Sequence, residues 1–124
     1  MRAVIYTLGL VFALSACASL PSSDTHKILV EFPVNTETRA EFIDELHKIL
    51  IDTRAFEGCL DVSVWTNETD ADKVWIYEEW QTRENQAAYV KWRGDTGNTA
   101  HLGPYISGVP RFLWLDEHAA GSGQ

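Results

Sequence analysis

The sequence is short of positive charge. Lys and Arg number 10 against 18 Asp and Glu, a formal net charge of -8 at pH 7. That balance argues against nucleic acid or an anionic lipid surface as a partner. Cysteine is scarcer, with two residues. Cys17 closes an N-terminal apolar run, so Cys59 is the one thiol left for the rest of the chain and no disulfide framework is available. With no basic neighbour in sequence to lower its pKa, Cys59 reads as a small buried hydrophobe in a strand. The histidines form no metal cluster. His47 and Glu45 find no third or fourth ligand at usable spacing, and His26 and His47 read as surface residues, so no metal is expected. A glycine-rich phosphate loop, a nucleotide fingerprint and a serine in a nucleophile elbow are also missing, and no cofactor is expected.

Long apolar runs are missing too. The longest, Ala3 to Ala16, is too short to span a bilayer comfortably, follows Met1-Arg2 and ends in small residues. It closes on Leu14-Ser15-Ala16-Cys17, which matches the bacterial lipoprotein signal pattern of an aliphatic residue, two small residues and cysteine. The alternative is an ordinary cleaved secretory signal ending near Ala16 or Ala18. On the lipoprotein reading, residues 1–16 are removed and Cys17 becomes the acylated N-terminus. Residues 17–25 are a polar tether, and the mature protein faces the periplasm. Ala18, instead of Asp, after the cysteine points to the outer membrane of a Gram-negative cell. The mature chain, without Arg2, carries nine basic against eighteen acidic residues.

Residues 26–117 suit one domain with a modest core, and 118–124 read as a disordered tail. His26 to Val34 alternates as a first strand. From Thr36 to about Thr53 a helix is expected, its apolar face built from Phe42, Ile43, Leu46, Ile49 and Leu50. Cys59 to Trp65 reads as a second strand with Leu60, Val62 and Val64 on one face. The polar loop Asn67–Asp72 then leads into a third strand, making a hairpin. A second helix runs from Thr82 to about Arg93, where Gly94 interrupts it. Thr99 to Ile106 predicts a short helix, and Pro110 to Asp116 a last strand. The order β-α-β-β-α-β predicts an α+β, ferredoxin-like sandwich with an antiparallel sheet and both helices on one face. The other face would carry Asp61, Ser63, Trp65, Trp75, Tyr77 and Glu79. It is too aromatic to leave in water, so a homodimer is expected.

The segment Lys73 to Trp92 holds most of the candidate chemistry. Glu78 and Trp80 share the strand face of Val74 and Ile76, which places a carboxylate on the helix side. There it needs a partner or a proton. Glu78 is either a structural partner of Arg93 or Arg111, or a general base of raised pKa. Trp80 is either core packing or a surface on which a flat substrate stacks. Tyr89 is a candidate hydrogen-bond donor to a substrate oxygen, Trp92 one turn on a candidate roof, and His101 a candidate at the mouth.

Phe56-Glu57-Gly58-Cys59 before the second strand, then Val74-Trp75-Ile76-Tyr77-Glu78-Glu79-Trp80, then Arg83-Glu84 to Ala88-Tyr89-Val90, resemble the antibiotic-biosynthesis-monooxygenase domain. The resemblance spans about Lys27 to Asp116 and implies a dimeric α/β barrel. Members include cofactor-independent quinol and polyketide oxygenases, haem-degrading enzymes and signal-molecule isomerases. Tyr89 stands where relatives commonly carry His. The positions that haem-degrading members use fall on Val30, Tyr89 and Thr99, none of which matches, with His101 two residues beyond the last. The resemblance therefore implies cofactor-free oxidation of a small quinol-like aromatic by dioxygen. Glu78, Tyr89 and His101 would be catalytic, with Trp80 and Trp92 binding substrate. The alternative is a non-catalytic envelope module that binds a hydrophobic small molecule.

Overall fold

The computed structural model describes residues 24–118. The signal segment with Cys17, the tether up to residue 23, and the tail from residue 119 lie outside the described residues. Four strands, β1 (His26–Pro33), β2 (Cys59–Trp65), β3 (Lys73–Trp80) and β4 (Arg111–Leu115), alternate with helices α1 (Arg39–Ala55) and α2 (Arg83–Thr96). Short helical segments at Thr36–Thr38 and Ala100–Tyr105 flank α1 and follow α2. The sheet order is β2-β3-β1-β4, with every neighbouring pair antiparallel. This is the ferredoxin-like α+β arrangement. α1 carries the chain from β1 across the sheet to the outer strand β2, the hairpin returns β3 to the side of β1, and α2 then delivers β4 to the other side.

Alternation along the strands decides what is buried. Val74, Ile76, Glu78 and Trp80 of β3 are buried, while Lys73, Trp75, Tyr77 and Glu79 between them are half-buried. Ile28 and Val30 of β1 and Val62 of β2 lie on the same face as the buried β3 set. From α1, Phe42, Leu46 and Leu50 come down at four-residue spacing to close the core, with Thr53 at the end of the row. On the far face, Trp65 and Trp75 are directly opposed, as are Ser63 and Tyr77.

Two elements depart from the pattern read in sequence. Leu60 was expected to face inward with Val62 and Val64, yet it is 53 % exposed. The register jumps there: Cys59 pairs with Trp80 and Asp61 with Glu79, so Leu60 is the extra residue of a β-bulge and turns outward. The bulge leaves Cys59 half-buried against the core, where burial pushes its thiol up to about 11 and keeps it protonated. Second, Gly94 does not interrupt α2. The helix continues to Thr96 and stops at Gly97, whose φ of 61° forms the left-handed cap as its N–H donates to the Arg93 carbonyl.

The turn before β2 depends on Gly58, whose φ is 84°. A Cβ there would lie 2.2 Å from Cγ of Asn85, in the first turn of α2. Asn85 N–H in turn donates to the Thr82 hydroxyl at 3.0 Å and caps that helix. Gly58→Ala should therefore strain the turn and push on the α2 cap together, costing about 2 kcal/mol or more. Urea unfolding checks this: the midpoint should fall at unchanged slope, and an unmoved midpoint would contradict it.

Candidate active site

A cavity of about 360 Å³ lies between the sheet, both helices and the segment Ala100–Tyr105. The sheet contributes Val30, Phe32, Ile76 and Phe112, and α1 contributes Leu46, Ile49 and Leu50. Leu102 and Ile106 close another side. Val90 and Phe112 are exposed at its rim. Three ionisable side chains enter this apolar surround: Glu78, Tyr89 and Arg93. The strand period puts Glu78 inward. The Thr82 cap starts α2 directly after β3, and this phase turns Gln86, Tyr89 and Arg93 toward the sheet.

Glu78 is 4 % exposed, and one of its oxygens accepts the Trp80 indole N–H at 2.8 Å. The ion pair considered in sequence, with Arg93 or Arg111, is not formed; Arg111 reaches Glu31 on the opposite face at 3.4 Å. Burial raises the Glu78 pKa above the ordinary 4.5, opposed by the indole hydrogen bond and the positive charge of Arg93. The result is a nearly dry carboxyl group that accepts a proton more readily than one in water.

Tyr89 and Arg93 belong to one buried network. The Tyr89 hydroxyl shares a 2.7 Å hydrogen bond with Thr53 and accepts from Arg93 Nε at 3.0 Å. Arg93 also donates to the Ile49 carbonyl at 2.7 Å, Thr53 Oγ1 at 3.0 Å and Asn98 Oδ1 at 3.1 Å. Burial raises the Tyr89 pKa, so its hydroxyl stays protonated, although the bonds to Thr53 and Arg93 act the other way. An aromatic cluster backs the network. Phe56 meets the ring of Tyr89 at 5.4 Å and that of Trp92 at 5.5 Å, while Trp80 lies 5.1 Å from Tyr89.

Of the residues singled out in sequence, the fold brings Glu78 and Tyr89 together on the cavity wall and leaves the other three off it. Trp80 is fully buried behind Glu78, holding its carboxylate. Trp92 packs on Phe56 beneath the Arg93 guanidinium, 4.7 Å from its ring centroid. His101 is half exposed, and its Nε2 lies 3.4 Å from Glu45 on α1, while neighbouring Ala100 and Leu102 line the cavity. In the sequence pattern Arg93 stands only as a partner for Glu78, and Thr53 only as the end of the first helix. The available signal was position: Arg93 follows Tyr89 by four residues on the same helical face. Among the described residues no group of three His, Cys, Asp or Glu side chains stands together as a metal site.

Residues 25–96 match the antibiotic biosynthesis monooxygenase family model, a span that includes Glu78, Tyr89 and Arg93. The chain belongs to that family. Solved structures share the family's fold at low identity. A conserved protein from Methanosarcina mazei superposes with a TM-score of 0.66 at 15% identity, covering 76% of this chain and 93% of its own. A structure described as an antibiotic biosynthesis monooxygenase gives 0.65 at 14%, covering 75% and 98%. A Pseudomonas aeruginosa protein gives 0.64 at 13%, covering 77% and 95%. No curated protein matches this monooxygenase-family chain.

Proposed function

We propose that this chain is a cofactor-independent monooxygenase that oxidises a small quinol-like aromatic, with Glu78 as general base. The observation that carries the reading is a buried carboxyl group on the wall of a largely apolar cavity, its pKa raised by burial. At about 360 Å³ the cavity suits a small ligand, near the lower end of small-molecule pockets at about 300–1,000 Å³. Glu78 takes a hydroxyl proton from the quinol, and the resulting anion passes an electron to dioxygen. Recombination forms a hydroperoxide at a ring carbon. Loss of that carbon's hydrogen breaks the O–O bond, leaving one oxygen on the ring and releasing the other as water. Quinol and dioxygen thus give hydroxyquinone and water, and all four electrons come from the quinol. The protein supplies orientation, a dry site and proton transfer. Tyr89 stands at the wall as a hydroxyl donor to a substrate oxygen.

We propose further that the chain forms a homodimer paired through the far sheet face, where Trp65 is 59% exposed beside Trp75 and Tyr77. We also propose that a lipid anchor on Cys17 holds it at the periplasmic side of the envelope. Metabolic labelling with palmitate should mark the wild-type protein and be lost in Cys17→Ser; persistent labelling in the variant would remove the anchor.

The enzyme reading is tested by oxygen uptake from menadiol under air, measured above the autoxidation background. Uptake that scales with protein concentration is expected. Saturable quenching of tryptophan fluorescence by menadiol without uptake would replace the enzyme with a binding module.

A further inference from the structure

Arg93 is the one buried basic side chain among the described residues, 8% exposed on the wall of a largely apolar cavity that it shares with Glu78 and Tyr89. A guanidinium out of water is costly unless a negative charge compensates it. Its bonds go to Tyr89, Asn98, the Ile49 carbonyl and Thr53, all neutral acceptors. These account for four of the five N–H groups a guanidinium carries, and none reaches a carboxylate. The rings of Tyr89 and Trp92 lie 5.2 and 4.7 Å from its central carbon, so aromatic contacts and hydrogen bonds hold the group in place.

The charges facing Arg93 are few. Tyr89 comes from α2 and is kept neutral by burial, and Glu78 comes from β3. α1 presents the Thr53 hydroxyl and the Ile49 carbonyl. β1 and β4 present apolar side chains, and the segment after α2 turns its one titratable group near the cavity, His101, toward Glu45. Once Glu78 holds a proton, the wall carries an uncompensated positive charge.

We infer that Arg93 makes this cavity a site for the anionic form of its ligand, so that its substrates are acidic hydroxyaromatics held as phenolate or enolate. The inference rests on reading the cavity as the substrate pocket, but not on turnover. It assigns Arg93 a substrate-binding role: its charge stabilises the anion that forms when Glu78 takes the proton, and it selects ligands that can ionise. An apolar cavity without such a charge does the opposite and raises the pKa of a bound phenol.

The test uses 4-nitrophenol, whose phenolate is coloured and which does not react with dioxygen, added to the purified protein. Bound 4-nitrophenol should ionise with an acid constant about tenfold or more above that of the free phenol. Arg93→Gln should abolish that shift, whereas Glu78→Gln should retain it. With wild-type protein alone, the phenolate should bind about tenfold or more tighter than 4-nitroaniline, a neutral molecule of similar shape. That comparison decides the matter even where Arg93→Gln does not fold. A bound phenol that titrates at or above its free value, equal affinity for the two compounds, or no phenolate binding would overturn the inference. Phenolate binding with no oxygen uptake from menadiol would leave this inference standing and remove the enzyme reading.

Discussion

Replacing Glu78 by glutamine should cut protein-dependent menadiol oxidation by about 10²–10⁴-fold, the range that general-base catalysis contributes. The substitution is nearly isosteric. The amide oxygen can still accept the Trp80 indole N–H that the carboxylate accepts at 2.8 Å, so cavity shape is kept and ligand quenching should be little changed. A fall in kcat with preserved binding would mark the loss of an interaction made in the transition state. The pH dependence has a definite sign. A base works ionised, and burial raises the Glu78 pKa above 4.5, so the wild-type rate should climb as pH rises through that elevated value. Stability runs the other way. In the folded state Glu78 binds its proton more tightly than in the unfolded chain, so its contribution declines as pH rises from the unfolded to the folded pKa. Glu78→Gln should therefore melt above wild type at neutral pH and lose that advantage in acid. A variant with wild-type oxidation rate would remove Glu78 from the mechanism.

Trp80→Ala should be the most destabilising of these single changes. Trp80 is fully buried, and its ring lies 5.1 Å from Tyr89 and 6.3 Å from Phe56. Truncation of a buried aromatic of this size costs about 3–5 kcal/mol through lost transfer energy and the cavity left behind. It also removes the donor that steadies the Glu78 carboxylate. Trp80→Phe separates the two effects: most of the volume stays, the N–H goes, and the cost should be about 1–3 kcal/mol. Because the indole bond holds the Glu78 pKa down, the rise of rate with pH should move to higher pH in Trp80→Phe. Equilibrium denaturation and a pH–rate profile check the two halves. A Trp80→Phe profile that overlays wild type would show that the indole does not tune Glu78.

Much of this was legible in the chain because it depends on local periodicity. The two-residue rhythm of Val74, Ile76, Glu78 and Trp80 by itself places an acid on the helix side. The four-residue rhythm of Phe42, Leu46 and Leu50 does the same for α1. What escaped was set by distant partners. Leu60 turns outward because of how β2 registers against β3, which the alternation within β2 does not contain. Both Gly94 and Gly97 can end a helix, and only the backbone at Gly97 takes the left-handed conformation. Arg93 resembles a surface residue of a polar helix. It is buried because Ile49 and Thr53, 44 and 40 residues earlier, supply oxygens for it. His101 and Leu102 are adjacent on a tight helical segment, and the packing of that segment on α1 decides which one meets the cavity.

The central claim, that this cavity directs dioxygen onto a substrate that supplies every electron, is tested most directly by menadiol oxidation under isotopically labelled dioxygen. Mass spectrometry of the products should find one labelled oxygen on the naphthoquinone ring and the other in water, with labelled product proportional to protein concentration. Menadione without label, with all the consumed dioxygen recovered as hydrogen peroxide, would contradict it.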